Sequence, residues 1–396
     1  MKLHVHKITG VVHRLGLSDE VEVGGEIRAL PGQVLVVRAL EEKRVYDVVE
    51  LESGRTAHVG KGDVLVGALG RRDALRGFVG RVPESVQVGD TLHLLNLGGV
   101  IGMAVSENKD VGHPLRVEVL GAVLRDGAPL NIADAALPPA PSDLPIPTVI
   151  AVSGTCMNSG KTYAACEIIA RLHERGYAVG GLKLTGVAAL RDTLNFGDHG
   201  AAVTMSFVDA GLPSTAGRTD LGPMATDLMR AAVQAAPRPL DALVIEMGDG
   251  IIGAYGVESI LRDPSFQQHV SAHVLCANDL AAAWGGLQWL AERGLAVDVI
   301  AGPATDNDVG LDYCRDQLGV PAANARTQPE AFVRHVLAAA FGARDVGTAA
   351  ANPAATLASG ATATGAPSSP SDAGAASAHT RASAPSTDAD AGEANA

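Results

Sequence analysis

Apolar and polar positions set two different rhythms along this chain. Between residues 1 and 136, short apolar runs alternate with polar positions and are cut off by glycine turns. Gln33–Leu40, Arg44–Leu51, Asp63–Leu69 and Arg116–Leu124 have the two-residue period or the β-branched density of strands. Gly24–Gly25, Ser53–Gly54, Lys61–Gly62–Asp63 and Val88–Gly89–Asp90 supply turns between them. No amphipathic helix interrupts the series, so this stretch predicts a small all-β barrel or sandwich. Inside it, Leu94–Gly102 (LLNLGGVIG) sets three glycines among aliphatic residues, which suits close approach of two backbones.

From residue 148 to 343 short apolar runs alternate instead with helical stripes. Val149–Val152, Tyr177–Leu184, Ala242–Met247, Ala272–Cys276 and Ala296–Ala301 read as strands. Ala165, Ile168, Ile169 and Leu172 fall at i, i+3, i+4 and i+7, one buried stripe of a helix that Gly176 stops. Pro223–Ala236, Asp279–Arg293 and Gly310–Leu318 carry further helical patterns. Strands alternating with helices predict a parallel sheet covered on both faces, with ligands beyond the carboxyl ends of its strands. Residues 137–147 (LPPAPSDLPIP) hold five prolines in eleven positions and read as a semi-rigid linker between the two stretches. Residues 344–396 turn to Ala, Ser, Thr, Gly and Pro, with Leu357 the sole sizeable apolar residue after Val346, and read as a disordered tail.

One stretch of the second region carries explicit chemistry. In Val149–Thr162, VIAVSGTCMNSGKT, a buried strand runs into a glycine-bearing turn and then into a helix opening with Lys161 and Thr162. This is the context of a phosphate-binding P-loop. Backbone N–H groups of such a turn, here Gly154, Thr155, Asn158, Ser159 and Gly160, face an anion that the helix dipole also favours. Lys161 would reach the β- and γ-phosphate oxygens, and the Thr162 hydroxyl would complete a Mg²⁺ shell. The spacing is G-x5-G-K-T, one residue longer than the common form, because Thr155 stands where the first glycine would fall.

That longer loop, opening Gly-Thr and closing Gly-Lys-Thr, resembles the dethiobiotin synthetase branch of the SIMIBI class of P-loop proteins. The resemblance covers roughly residues 148–343. It implies an α/β P-loop domain that binds ATP (or GTP) with Mg²⁺. Many partitioning and metal-insertion ATPases of the wider class have a second lysine early in the loop; Thr155 and Cys156 fill those places here. At the end of the strand ALVIEM the family carries a Val-Glu-Gly segment, so Glu246 is implied as a Mg²⁺ ligand with Thr162, and Asp249 as its reserve. Lys183, ending the second strand, stands where the family has Lys-Pro-Val at its substrate and phosphate site, although Leu184 replaces the proline. Lys161, Lys183 and Asp198 are thereby the catalytic candidates, Asp198 or His199 as a general base or a metal contact. Base recognition is expected after the strand ending at Ala301, among Thr305, Asp306, Asn307 and Asp308.

Composition narrows the partners. The 396 residues are 47% hydrophobic and 19% charged, a globular balance with room for two cores. A net charge of −13 speaks against a nucleic acid or an anionic membrane surface. No apolar stretch approaches the ~20 residues that cross a bilayer. The amino terminus lacks the core of a secretory signal, and the four cysteines, scattered without C-x-x-C pairing, suit a reducing cytoplasm. His4 and His6 share a strand face but have no partner at ligand spacing, which leaves a metal site there unsupported.

The expected function is a Mg-ATP-dependent enzyme, achieving phosphoryl transfer or carboxylate activation on a small metabolite. The alternative is a nucleotide switch for cofactor or metal delivery, resembling the molybdopterin-guanine-dinucleotide GTP-binding factors. Either reading leaves room for a homodimer.

Overall fold

Strand Val34–Ala39 shows why the first half folds as it does. Leu35 and Val37 point to one side and Val34 and Val36 to the other, and all four are fully buried. A strand buried on both faces needs a closed structure on one side and a cover on the other. The computed structural model, which describes residues 1–342, supplies both. Val34–Ala39, Val64–Leu69, Val100–Glu107, Thr91–Leu94 and Leu115–Arg125 pair in a ring that closes on itself. The pairing of Val64–Leu69 with Val100–Glu107 is parallel and the other four are antiparallel. Leu35, Val37, Leu65, Leu92, Ile101 and Val117 fill the barrel. The expected alternative of barrel or sandwich is thus resolved as a barrel, with further short strands attached to one 11-stranded sheet.

Two expectations for this half change. Arg44–Leu51 forms a strand only over Val48–Glu50, paired with Thr56–His58. The half is also not free of helical turns, since Gly10–Leu15 and Ile132–Ala135 are short 3₁₀ segments. Gly10–Leu15 covers the outer face of the barrel, where Val11 and Val12 join Val34, Val36 and Val66 in one core.

The second half is a six-stranded parallel sheet. Its order is Val203–Ser206, Val179–Thr185, Ala242–Met247, Thr148–Gly154, Val270–Cys276 and Val299–Ala301. The period-two alternation of its strands is visible in two separate cores. Val149, Ala151, Leu243 and Ile245 face helix Gly222–Ala235. Ile150, Val152, Val244 and Val274 face helices Lys161–Glu174 and Pro329–Phe341. Helix Leu280–Ala291 is capped by the Asp279 side chain, which accepts from Ala282 N–H. Strand Val203–Ser206 and helices Arg191–Asp198 and Pro329–Phe341 were not anticipated from the pattern.

Residues 137–147 are packed rather than free, with Ala140 buried and Leu137, Leu144 and Ile146 lying against the core of the parallel sheet. The two halves share a buried apolar contact in which Ala188, Phe207 and Val208 of the second join Val11, Val12 and Val100 of the first. The Leu94–Gly102 run serves that contact: a Cβ on Gly98 would stand 1.9 Å from the Ala188 carbonyl oxygen, so only glycine fits. Among the described residues no helix is long and apolar enough to cross a membrane. The tail expected over 344–396 lies outside the described residues.

Candidate functional site

Strand Thr148–Gly154 runs next to the middle of the sheet and delivers the chain into the loop at its carboxyl end. Asn158 and Gly160 both take left-handed backbone (φ 59° and 86°), which folds the loop back before helix Lys161–Glu174 begins. The fold is tight: a Cβ on Gly154 would lie 2.3 Å from Ser159 Oγ and 2.8 Å from Lys161 Cδ. Lys161 is buried, and its Nζ donates to the Cys156 carbonyl oxygen at 2.8 Å and to Ser159 Oγ at 3.4 Å. Burial pulls its pKa below the ordinary lysine value, against the opposing charge of Glu246. A desolvated ammonium beside inward-curved backbone suits a polyanion.

The strand carrying Glu246 is the immediate neighbour of the loop strand, with Glu246 level with Val152. Glu246 is buried, and its Oε1 accepts a hydrogen bond from Thr162 Oγ1 at 3.0 Å. Its other oxygen, Oε2, is buried without a partner. Burial, reinforced by the charge of Asp192, pushes its pKa above the usual carboxylate range. An orphaned carboxylate oxygen next to a threonine hydroxyl is the all-oxygen donor set that Mg²⁺ takes. Among the described residues no group of three His, Cys, Asp or Glu could hold a metal by itself. Mg²⁺ would therefore be held jointly by Thr162, Glu246, phosphate oxygens and water, as such sites hold it.

Lys183 sits level with Glu246 on the next strand. Its Nζ forms a short ion pair with Asp192 Oδ2, and both side chains are almost fully buried. Burial alone would lower the Lys183 pKa, but Asp192 and Glu246 outweigh it and hold it above the ordinary value. Burial likewise works against ionisation of Asp192, and Lys183 reverses it, so the Asp192 carboxyl is held low. Two carboxylates that act on one lysine, Asp192 and Glu246, are thus pushed in opposite directions.

Asp192 is the residue that sequence reasoning passed over. It occupies the second position of helix Arg191–Asp198, whereas Asp198 is at the exposed last turn of the same helix. The available signal was the need of a buried strand-end lysine for a nearby carboxylate. Asp249 follows the Glu246 strand in a left-handed conformation (φ 69°), with its pKa raised by burial. Its segment packs on the loop through Ile251 N–H, which donates to the Gly154 carbonyl oxygen at 2.8 Å.

On the other side of the loop a cleft of about 200 Å³ opens, lined by Asn158, Tyr163, Pro303, Asp306, Asn324 and Arg326. The Arg326 guanidinium lies 5.4 Å from the Tyr163 ring centre. Asn324 Nδ2 donates to Asp306 Oδ1 at 2.7 Å, and Asn324 Oδ1 accepts from the N–H groups of Arg326 and Thr327. Asp306 alone of the four polar residues expected near the base lines the cleft.

A central parallel strand, a glycine-closed loop ending in Gly160, the buried Lys161 followed by Thr162, and a carboxylate on the adjacent strand together make the arrangement in which a P-loop would hold phosphate. Neither a protein-family model nor a curated protein matches the chain. Solved structures that share part of its shape include the cell division protein FtsY of Thermotoga maritima. It is 18% identical over 50% of this chain and 70% of that one, with a TM-score of 0.31. Chloroplast FtsY of Physcomitrella patens is 13% identical, covering 50% and 67%, with a TM-score of 0.34. The signal recognition particle 54 kDa protein of Aeropyrum pernix, solved in complex with GDP, is 19% identical, covering 50% and 47%, with a TM-score of 0.32.

Proposed function

We propose that the chain is a Mg²⁺-dependent nucleoside triphosphatase whose loop, Gly154–Thr162, holds the triphosphate. The single observation that carries this reading is the Thr162–Glu246 hydrogen bond with Glu246 Oε2 buried and unpartnered beside the buried Lys161. Mg²⁺, when bound, neutralises phosphate charge and orients the terminal phosphate. Lys161 supplies a fixed positive charge to the β- and γ-oxygens, and Thr162 and Glu246 supply oxygen ligands. Lys183, held by Asp192, presents a second ammonium at the carboxyl end of the sheet, where charge develops on the transferred group.

The base belongs in the cleft beside the loop. Tyr163 and Arg326 offer flat faces for it. Asp306 offers a carboxylate, which only accepts hydrogen bonds. Guanine presents two adjacent N–H donors on its pairing edge and adenine does not, so this reading favours GTP over ATP. Asp306→Asn should narrow the preference, and hydrolysis of Mg-GTP and Mg-ATP by wild type and variant tests it. Equal rates for the two nucleotides in wild type would remove the base assignment and leave the loop assignment standing.

The second reading is an enzyme that passes the phosphoryl group to a small carboxylate-bearing metabolite. Lys183 favours it, as a buried ammonium able to meet a substrate anion. A metabolite that stimulates nucleotide hydrolysis above the basal rate supports the enzyme; stimulation by a partner protein supports the switch.

A further inference from the structure

Glu50 belongs to the β-barrel half, is 1% exposed and faces the nucleotide-binding half. Its strand, Val48–Glu50, is anchored by pairing with Thr56–His58 and by Glu50 N–H donating to the Leu97 carbonyl oxygen at 2.7 Å. The carboxylate reaches across and accepts a hydrogen bond from the Leu190 N–H, and the neighbouring Arg191 amide also favours its charge. These are the capping residue and the first residue of helix Arg191–Asp198. Asp192, the next residue, holds Lys183.

We propose that Glu50 is a positioning residue that fixes the start of helix Arg191–Asp198, so that the β-barrel sets the geometry of the Asp192–Lys183 pair in the nucleotide site. Three observations converge on it. First, the helix supplies no side-chain cap of its own at Leu190, so its leading N–H groups depend on a group from outside. Second, a carboxylate is the acceptor that a helix start favours most, through the partial positive charge of its amides. Third, among the described residues no lysine or arginine forms an ion pair with Glu50, while Arg191, the nearby cation, turns toward Asp192 at 3.9 Å. Burial accordingly raises the Glu50 pKa even against the two amides. A carboxylate kept buried without a counter-ion destabilises the fold unless its contact with the helix start accomplishes something specific. The connection from Glu50 to Lys183 runs through the three consecutive residues Leu190, Arg191 and Asp192 at the helix start.

This inference rests on the nucleotide reading above, and the experiment separates the two. Glu50→Ala, Glu50→Gln and Asn96→Ala would be compared with wild type for Mg-GTP affinity, hydrolysis rate and amide hydrogen exchange. Asn96 is the control, because its Nδ2 also crosses between the halves, donating to the Ala188 carbonyl oxygen at 2.6 Å, but does not touch the helix. Glu50→Ala is expected to lower kcat by ~10-fold or more while nucleotide affinity stays within a few-fold, as loss of a preorganised arrangement does. Amides of residues 190–193 should exchange faster in the same variant. Glu50→Gln keeps an acceptor oxygen and should recover most of both effects. Asn96→Ala should leave kcat unchanged even if it melts earlier. Equal kcat in Glu50→Ala and wild type, or an equal loss in Asn96→Ala, would overturn the positioning role. Should wild type bind no nucleotide, the nucleotide reading fails instead, and the exchange of amides 190–193 alone decides whether Glu50 fixes the helix.

Discussion

Thr162 Oγ1 and Glu246 Oε1 lie 3.0 Å apart, joining the first turn of the loop helix to the end of the neighbouring strand. The hydrogen bond places the two oxygen donors of the proposed Mg²⁺ site side by side while leaving Glu246 Oε2 without a hydrogen-bond partner. Sheet order makes this arrangement possible, because no strand intervenes between the loop strand and the carboxylate strand.

From this pair it follows that Glu246→Gln retains part of the nucleotide affinity but loses the response to Mg²⁺. Hydrolysis measured across a Mg²⁺ titration should drop ~10²-fold or more at saturating nucleotide, the scale of losing a metal-held electrostatic contact. Asp249→Asn should stay within a few-fold of wild type. If the two variants exchange behaviours, Asp249 is the metal ligand.

The Lys183–Asp192 ion pair predicts a separation of stability from turnover. Removing one partner of a buried pair leaves the other uncompensated and costs about 3–5 kcal/mol, so Lys183→Ala should melt well below wild type. The double variant Lys183→Met with Asp192→Leu should recover most of that stability, since an apolar pair replaces the charges. Turnover should remain down by ~10²-fold in both, because the ammonium acts on developing phosphate charge. Recovered turnover in the double variant would make the pair purely structural. Thermal melts and single-turnover rates on the same samples decide it.

A third expectation concerns acid. His273 is buried; its Nδ1 faces the Ala296 carbonyl oxygen at 2.9 Å and its Nε2 faces Ser153 Oγ at 2.7 Å. Nδ1 must therefore donate, and Nε2 accepts from Ser153. Burial depresses the His273 pKa, against the carbonyl and Asp298. The sign follows from linkage: below the unfolded histidine value of about 6.5 the unfolded chain takes up a proton that the folded chain refuses. Stability from this group is thus complete above that value and is lost as pH falls toward the depressed folded value. Denaturant melts between about pH 7.5 and pH 5 should show a shallower loss in His273→Gln than in wild type. A slope identical in the two would remove His273 as a source of acid sensitivity.

Much of this arrangement was legible in the chain because it rests on local chemistry. The strand Val149–Val152, the closing Gly160–Lys161–Thr162 and the strand-end Glu246 each declare themselves within a few residues. Asp192 did not, because its role depends on a lysine nine residues away and on a helix, RDTLNFGD, too short and too polar to show a stripe. Glu50 was hidden more deeply. Its partners lie 140 residues further on, and only the packing of the two halves brings them together. The Pro-rich 137–147 segment misled in a different way. Its prolines speak for a spacer, whereas Leu137, Ala140, Leu144 and Ile146 find apolar cover on the parallel sheet.

The central claim is that the Gly154–Thr162 loop binds nucleotide phosphate through Lys161. Titration calorimetry of Mg-GTP and Mg-ATP into wild type and Lys161→Ala tests it most directly. Wild type should bind, and the variant should lose about 2–3 kcal/mol, or roughly 30- to 150-fold in affinity, the scale of a charge-assisted contact. Its melting temperature should not fall, because the substitution removes a buried cation. Equal affinity of wild type and Lys161→Ala for both nucleotides would contradict the account.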